Sequence, residues 1–177
     1  MKFTESSLKD AYVIELEPKC DARGMFSRAF CQQEFHAHGL NTNIVQCNLS
    51  HSLLRGTLRG MHYQLPPFAE AKLVRCIRGA AYDVILDIRP TSSTYLKWFG
   101  AELTATNRSM MYVPEGFAHG YQTLSDDSEV FYMVSQVYAP DHERGVRWND
   151  PVFGIEWPIP NPILSPRDAS HPDFRPD

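Results

Sequence analysis

The sequence predicts an all-β fold, and three observations carry that reading. Runs of aromatic and β-branched residues alternate with Gly, Pro, Asn and Asp punctuation along most of the chain. Several runs, such as "AAYDVILDI" at 80–88, are apolar on both parities, so both of their faces are expected to be covered. Helical candidates are few and short. Two covered faces fit a sandwich or a closed barrel better than a single open sheet.

Taken in order, strands are expected at 11–17 ("AYVIELE"), 25–30 ("MFSRAF"), 43–50 ("NIVQCNLS") and 57–64 ("TLRGMHYQ"). They continue at 71–78 ("AKLVRCIR"), 81–89 ("AYDVILDIR"), 98–103 ("WFGAEL") and 109–113 ("SMMYV"). The last two are 118–124 ("AHGYQTL") and 129–138 ("EVFYMVSQVY"). A short helix is expected at 31–38 ("CQQEFHAH") and a helical turn near 141–145. From about residue 157 the chain is too rich in proline for long regular elements, so it should run as an irregular tail over the surface or the barrel mouth.

The bulk numbers narrow the function. At 177 residues, with 43% hydrophobic and 21% charged, the chain fits one soluble globular domain spanning 1–177. A net charge of −4 and a pI near 6.0 argue against nucleic acid or an anionic membrane as a partner. The N-terminus has no apolar leader and no window approaches a membrane span, so a cytoplasmic protein is expected. Cys20, Cys31, Cys47 and Cys76 form no CxxC pair and are expected to be reduced, buried thiols. No phosphate-binding loop, dinucleotide fingerprint or nucleophilic serine elbow is present.

Strand parity locates the polar chemistry. One face of 46–52 shows Gln46, Asn48, Ser50 and Ser52; one face of 57–64 shows Gly60, His62 and Gln64. One face of 129–138 shows Tyr132, Val134, Gln136 and Tyr138. Any one of these faces alone would ordinarily meet solvent, but three together suit a barrel that binds a polar ligand inside. Arg59 falls opposite His62 on a regular strand, so the two share a cavity only if Gly60 marks a bulge. His62 is the leading general base, Lys72 a cation for a nascent oxyanion, and Asp168 a carboxylate that a folded-back tail could bring to His62. A lone histidine, a strand-end lysine and a turn aspartate are each more often structural. In "VPEGFAHGYQ" (113–122), His119 follows a glycine turn that would let backbone approach a ligand closely.

Eight segments in order then carry a resemblance: "DARGMF" (21–26), "QCNLSHS" (46–52), "LRGMHYQLPP" (58–67), "KLVRCIRG" (72–79), "DVILDIR" (83–89), "VPEGFAHGY" (113–121), "WNDP" (148–151) and "LSPRD" (164–168). Over nearly its whole length the chain resembles the dTDP-4-dehydrorhamnose 3,5-epimerase family. That resemblance implies a cupin-type jelly-roll barrel, a homodimer, a nucleotide-sugar substrate and no cofactor or metal. It implies His62 as the base, Asp168 as its orienting carboxylate, Lys72 as enolate stabiliser and Tyr132 as general acid. It assigns ligand contacts to Arg23, Phe26, Gln46, Asn48, Arg59, Lys72, His119, Tyr138, Glu143 and Arg167, the last in place of a lysine. Metal-binding cupins carry a second histidine where this chain has Gln64, and a neutral amide is a poor ligand for zinc or iron.

Arg28 and Cys47 stand where the resemblance expects acids, which leaves the accepted sugar and nucleotide open. Epimerisation at C3 alone, or of a GDP- or CDP-linked sugar, is the nearest alternative to inversion at C3 and C5. A non-catalytic sugar-binding cupin is the alternative from another class.

Overall fold

The structure is a computed structural model and describes residues 1–175. Its first strands are β1 (Lys2–Glu5), β2 (Tyr12–Glu15), β3 (Lys19–Asp21) and β4 (Gly24–Phe26), followed by helix α1 (Gln32–Ala37). Then come β5 (Gln46–Ser52), β6 (Leu58–Gln64), β7 (Lys72–Arg78), β8 (Ala80–Asp87) and β9 (Trp98–Thr104). The last are β10 (Met110–Val113), β11 (Phe117–Thr123), β12 (Ser128–Val134), β13 (Glu143–Gly145) and helix α2 (Pro166–Ala169). Two sheets, ordered β1-β2-β10-β7-β12-β5 and β13-β6-β11-β8-β9, pack as a jelly roll, and β3–β4 is a separate hairpin. Every named strand pair is antiparallel.

Three apolar clusters explain why so many strands are hydrophobic on both parities. Between the sheets, Val74, Cys76, Met111 and Val130 meet Ala81, Ile85, Leu103 and Phe117. Outside the six-stranded sheet, α1 lays Phe35 against Leu73, Met110 and Tyr112. Outside the five-stranded sheet, Val84, Leu86 and Ala118 are covered by Val146, Phe153 and the aromatic residues of the tail. Strand β8 therefore sends Ile85 inward and Val84 and Leu86 outward, all fully buried. Each such side chain contributes about 1.5–3 kcal/mol relative to exposure.

Several boundaries differ from the sequence reading. Strand β1 lies outside the expected strands, and the run at 25–30 ends at Phe26, where it pairs with Lys19–Asp21 as a small hairpin. The run at 129–138 stops as a strand at Val134, so Tyr138 returns to the site through a loop. Near 141–145 a 3₁₀ turn (Pro140–His142) leads into β13, because the open edge of β6 offers that segment a ladder. Cys76 is buried as expected, but Cys31 is half-buried, and Cys20 and Cys47 are exposed, one on the hairpin and one on the outward parity of β5. The tail does cross the surface. It bonds to β6 through Leu58 N–H to the Ile163 carbonyl, and the Gln122 amide of β11 exchanges two bonds with Ile159.

Candidate active site

The polar parities meet inside the barrel. Along β5, Gln46, Asn48 and Ser50 are half-buried, whereas Leu49 on the other parity is 61% exposed. Polar residues inward and an apolar residue outward is the reverse of an ordinary half-buried strand. It shows that this face lines a cavity. The cavity, about 260 Å³, is walled by Gln46, Asn48, His62, Glu70, Lys72, Tyr132, Tyr138 and Glu143, with Tyr63 and Gln64.

His62 reaches the cavity from β6, and its Nε2 lies 2.6 Å from Asp168 Oδ1. Asp168 sits on α2, where the Ser165 hydroxyl accepts its backbone N–H at 3.0 Å and caps the turn. Burial works to raise the Asp168 pKa, but the hydrogen bond and charge of His62 outweigh it and hold the carboxyl below its ordinary value. An ionised carboxylate there orients the imidazole and favours the imidazolium.

Tyr132 projects from β12 in the opposite sheet. Burial, then the neighbouring Tyr121 and Glu70, push its phenol above the ordinary tyrosine value, which keeps it a proton donor. Lys72, on the adjacent β7, is buried and ion-paired to Glu70 at 3.2 Å. At the mouth, the Tyr138 hydroxyl donates to Glu143 Oε2 at 2.6 Å, and Arg167 pairs with the same oxygen at 2.6 Å. Burial opposes ionisation of Glu143, yet these two donors hold its pKa below the ordinary value.

The ladder between β6 and β11 settles the question of Arg59. His119 stands opposite His62 and Tyr121 opposite Arg59, so two steps along β11 match three along β6. The extra residue is a bulge at Gly60–Met61, and it turns Arg59 and His62 onto one face. Gly60 has φ +127°, and a Cβ there would lie 2.5 Å from Gly120 Cα. Glycine is required on both counts. Arg59 itself bonds Ser52 Oγ at 3.3 Å and the His51 carbonyl at 3.1 Å, just beyond the cavity wall. Gly120, after His119, closes on the β6 backbone, where a Cβ would lie 2.8 Å from the Arg59 carbonyl oxygen, and Gly116 in the turn before His119 packs against the Arg89 side chain.

His119 is buried behind His62 and bonds Asp83 at 2.8 Å. Arg23 and Phe26 are not brought to the cavity of their own chain: Arg23 pairs with Asp21, and Phe26 is 74% exposed. Gln64 is fully used by backbone, donating to the Phe68 and Val137 carbonyls and accepting from Ala139 N–H. Three polar residues escaped the sequence reading. Glu70 and His171 have no local signal, but Asp83 does: with Asp87 it is one of two charges on the inward parity of "AAYDVILDI".

A jelly-roll barrel that sets a carboxylate-held imidazole against a phenol on the facing sheet, with an ammonium beside the phenol, has the architecture of a proton-transfer isomerase. The family model described as dTDP-4-dehydrorhamnose 3,5-epimerase matches residues 5–176. A curated dTDP-4-dehydrorhamnose 3,5-epimerase of Sinorhizobium fredii is 43% identical over 175 residues, covering 98% of this chain and 90% of that protein. The crystal structure of the enzyme of that name from Elizabethkingia anophelis NUHP1 superposes with a TM-score of 0.96 at 41% identity, covering 98% and 96% of the two chains. That of Bacillus anthracis, with TDP and PPi bound, gives 0.94 at 40% identity, covering 98% and 99%. The chain belongs to the dTDP-4-dehydrorhamnose 3,5-epimerase family.

Proposed function

We propose that this chain inverts C3 and C5 of a dTDP-linked 4-keto-6-deoxy sugar, converting the 4-dehydro-6-deoxyglucose form to the 4-dehydrorhamnose form. One observation carries the reading: His62 and Tyr132 face one cavity from opposite sheets. Inversion at carbon needs a proton removed from one side and returned to the other. Both C3 and C5 lie α to the C4 carbonyl, so a single enolate stabiliser serves both centres.

In each half-reaction His62 takes the α proton and the C–H electron pair becomes the enolate, with negative charge on the former carbonyl oxygen. Lys72 neutralises that oxygen, and Asp168 stabilises the imidazolium. Tyr132 then protonates carbon from the far wall as the carbonyl re-forms; before the next half-reaction it takes a proton from solvent and His62 gives its proton to solvent. The sequence is redox-neutral and needs no hydride carrier. Positioned acid–base groups of this kind contribute roughly 10²–10⁴-fold each.

Gln46, Asn48, Tyr138, Glu143 and Arg167 surround the sugar end in this reading. Arg59 and His119 extend the same face toward the pyrophosphate. Arg23 and Phe26 complete the site of a second copy in a homodimer, which accounts for a hairpin bearing an exposed phenylalanine and a cation. The whole chain acts as one cytoplasmic catalytic domain; among the described residues no helix is long and apolar enough to cross a membrane.

Incubation with dTDP-4-keto-6-deoxyglucose in D₂O tests the reading. Deuterium at both C3 and C5 is expected, and neither site should exchange in the His62→Ala chain. Label at C3 alone would replace this reading with a C3-only epimerase, and label at neither would overturn it.

A further inference from the structure

The reaction above makes no use of His171, yet this residue completes a cluster around the dyad. Its Nε2 lies 3.6 Å from the Asp168 Oδ1 that faces His62. The atom is buried and has no hydrogen-bond partner among the described residues. Its ring stands edge-on to that of His62, with centroids 5.6 Å apart and planes at 76°. Room for the ring comes from Gly145, which pairs with His62 across β13 and β6; a Cβ there would collide with the imidazole. One ligand atom each from His62, Asp168 and His171 can be chosen so that all lie within 4.8 Å of one another.

We infer that His62, Asp168 and His171 form a site for a divalent transition metal such as Zn²⁺, and that filling it switches the enzyme off. Two imidazoles and a carboxylate are a borderline N,N,O donor set, which suits Zn²⁺ and disfavours Mg²⁺ or Ca²⁺. Zinc bonds to nitrogen and oxygen at about 2.0–2.2 Å, so three donors this close need only small side-chain shifts to converge. The orphaned His171 nitrogen gains a partner in the process. A neutral imidazole has one lone pair. When His62 Nε2 gives a lone pair to the metal, the proton it shared with Asp168 is displaced and the neutral ring carries its proton on Nδ1 instead, so no lone pair is left to accept a proton from carbon. The binding half stands on geometry alone; the inhibition half rests on the epimerase reading.

Chelator-stripped protein titrated with ZnCl₂ tests both halves. Long-range ¹H–¹⁵N spectra of the unmutated chain should show the ring nitrogens of His62 and His171 moving with the first equivalent. Those of His36, His38, His51 and His142 should stay still. In parallel, zinc should abolish substrate deuteration. The His171→Asn chain should keep its basal exchange and bind zinc roughly tenfold or more weakly. Shifts confined to the other histidines would overturn the site whether or not the variant folds. Equal zinc affinity in the folded variant would do the same. Zinc on both rings with undiminished deuteration of an active enzyme would overturn the switch, while a protein that never deuterates the sugar sinks the epimerase reading and leaves the binding result to decide the site.

Discussion

Two appendages leave the barrel, and they behave differently. The tail folds back on its own chain: Leu58, Gln122 and the Thr57–Ile163 bridge pin it to the sheet before α2 delivers Asp168 to His62. The β3–β4 hairpin is tied by its own ladder and the Arg23–Asp21 pair, with Met25 and Phe26 left exposed. Both carry residues that the family resemblance assigns to the site, but only the tail reaches the cavity of its own chain. The difference lies in anchoring. A segment with backbone bonds to a sheet edge arrives at a defined place, whereas the hairpin leaves its apolar tip, Met25 and Phe26, in the open.

Breaking the tail's contribution should have the largest effect. Asp168→Asn is expected to lower kcat by roughly 10²–10⁴-fold with KM little changed, because the imidazolium loses its counter-charge while the sugar contacts remain. Steady-state kinetics on the purified variant check this, and a rise in KM alone would move Asp168 from the dyad to substrate binding.

Breaking the hairpin should read out the opposite way. Phe26→Ser combined with Arg23→Ala is expected to leave the thermal stability of the monomer unaltered. The proposed homodimer should weaken and KM rise roughly tenfold, about 1.4 kcal/mol, at nearly constant kcat. Sedimentation and kinetics on the same sample decide it. A full-strength dimer with unchanged KM would show that the hairpin does not complete a second site.

The smallest effect sharpens the contrast by pH. Asp168 is depressed from the ordinary aspartate value of 3.8, so its unfolded form binds more protons in acid. Its stabilisation is therefore complete above about pH 4 and is lost as pH falls through the lower folded value. Acid denaturation curves should show this loss in the unmutated chain and in the hairpin variant alike. The Asp168→Asn chain should lack it, and identical acid limbs in all three would contradict the pairing.

How much of this was legible in the sequence varied with the range of the signal. Local alternation placed the central strands, because a side-chain period of two survives in any sheet. It also identified Gln46, Asn48, His62 and Tyr132 as members of polar faces. It misread 143–145, whose strand exists only because β6 has an open edge beside it. Parity put Tyr138 on a polar face although it lies in a loop beyond Val134, but Glu143 and Arg167 entered through family resemblance, since they come from an edge strand and the tail. Glu70 and His171 were invisible for the same reason: a charge two residues from Lys72 and a histidine in a proline-rich tail mean nothing until their partners are known.

The residues alone gave an all-β sandwich or barrel with covered faces, the shared parity of its polar side chains, and a segment, "LRGMHYQ", in which a glycine bulge could reconcile arginine with histidine. These are matters of pleat parity and of backbone conformations open only to glycine, and both are written residue by residue. Only the tertiary structure decided which polar face was wet and which was a cavity wall, and that Asp168 crosses more than a hundred positions to meet His62. It also decided that His171 joins them and that Arg23 and Phe26 stay outside. Such outcomes depend on which surfaces are brought together across the two sheets, and parity along one strand carries no information about the strand that will face it.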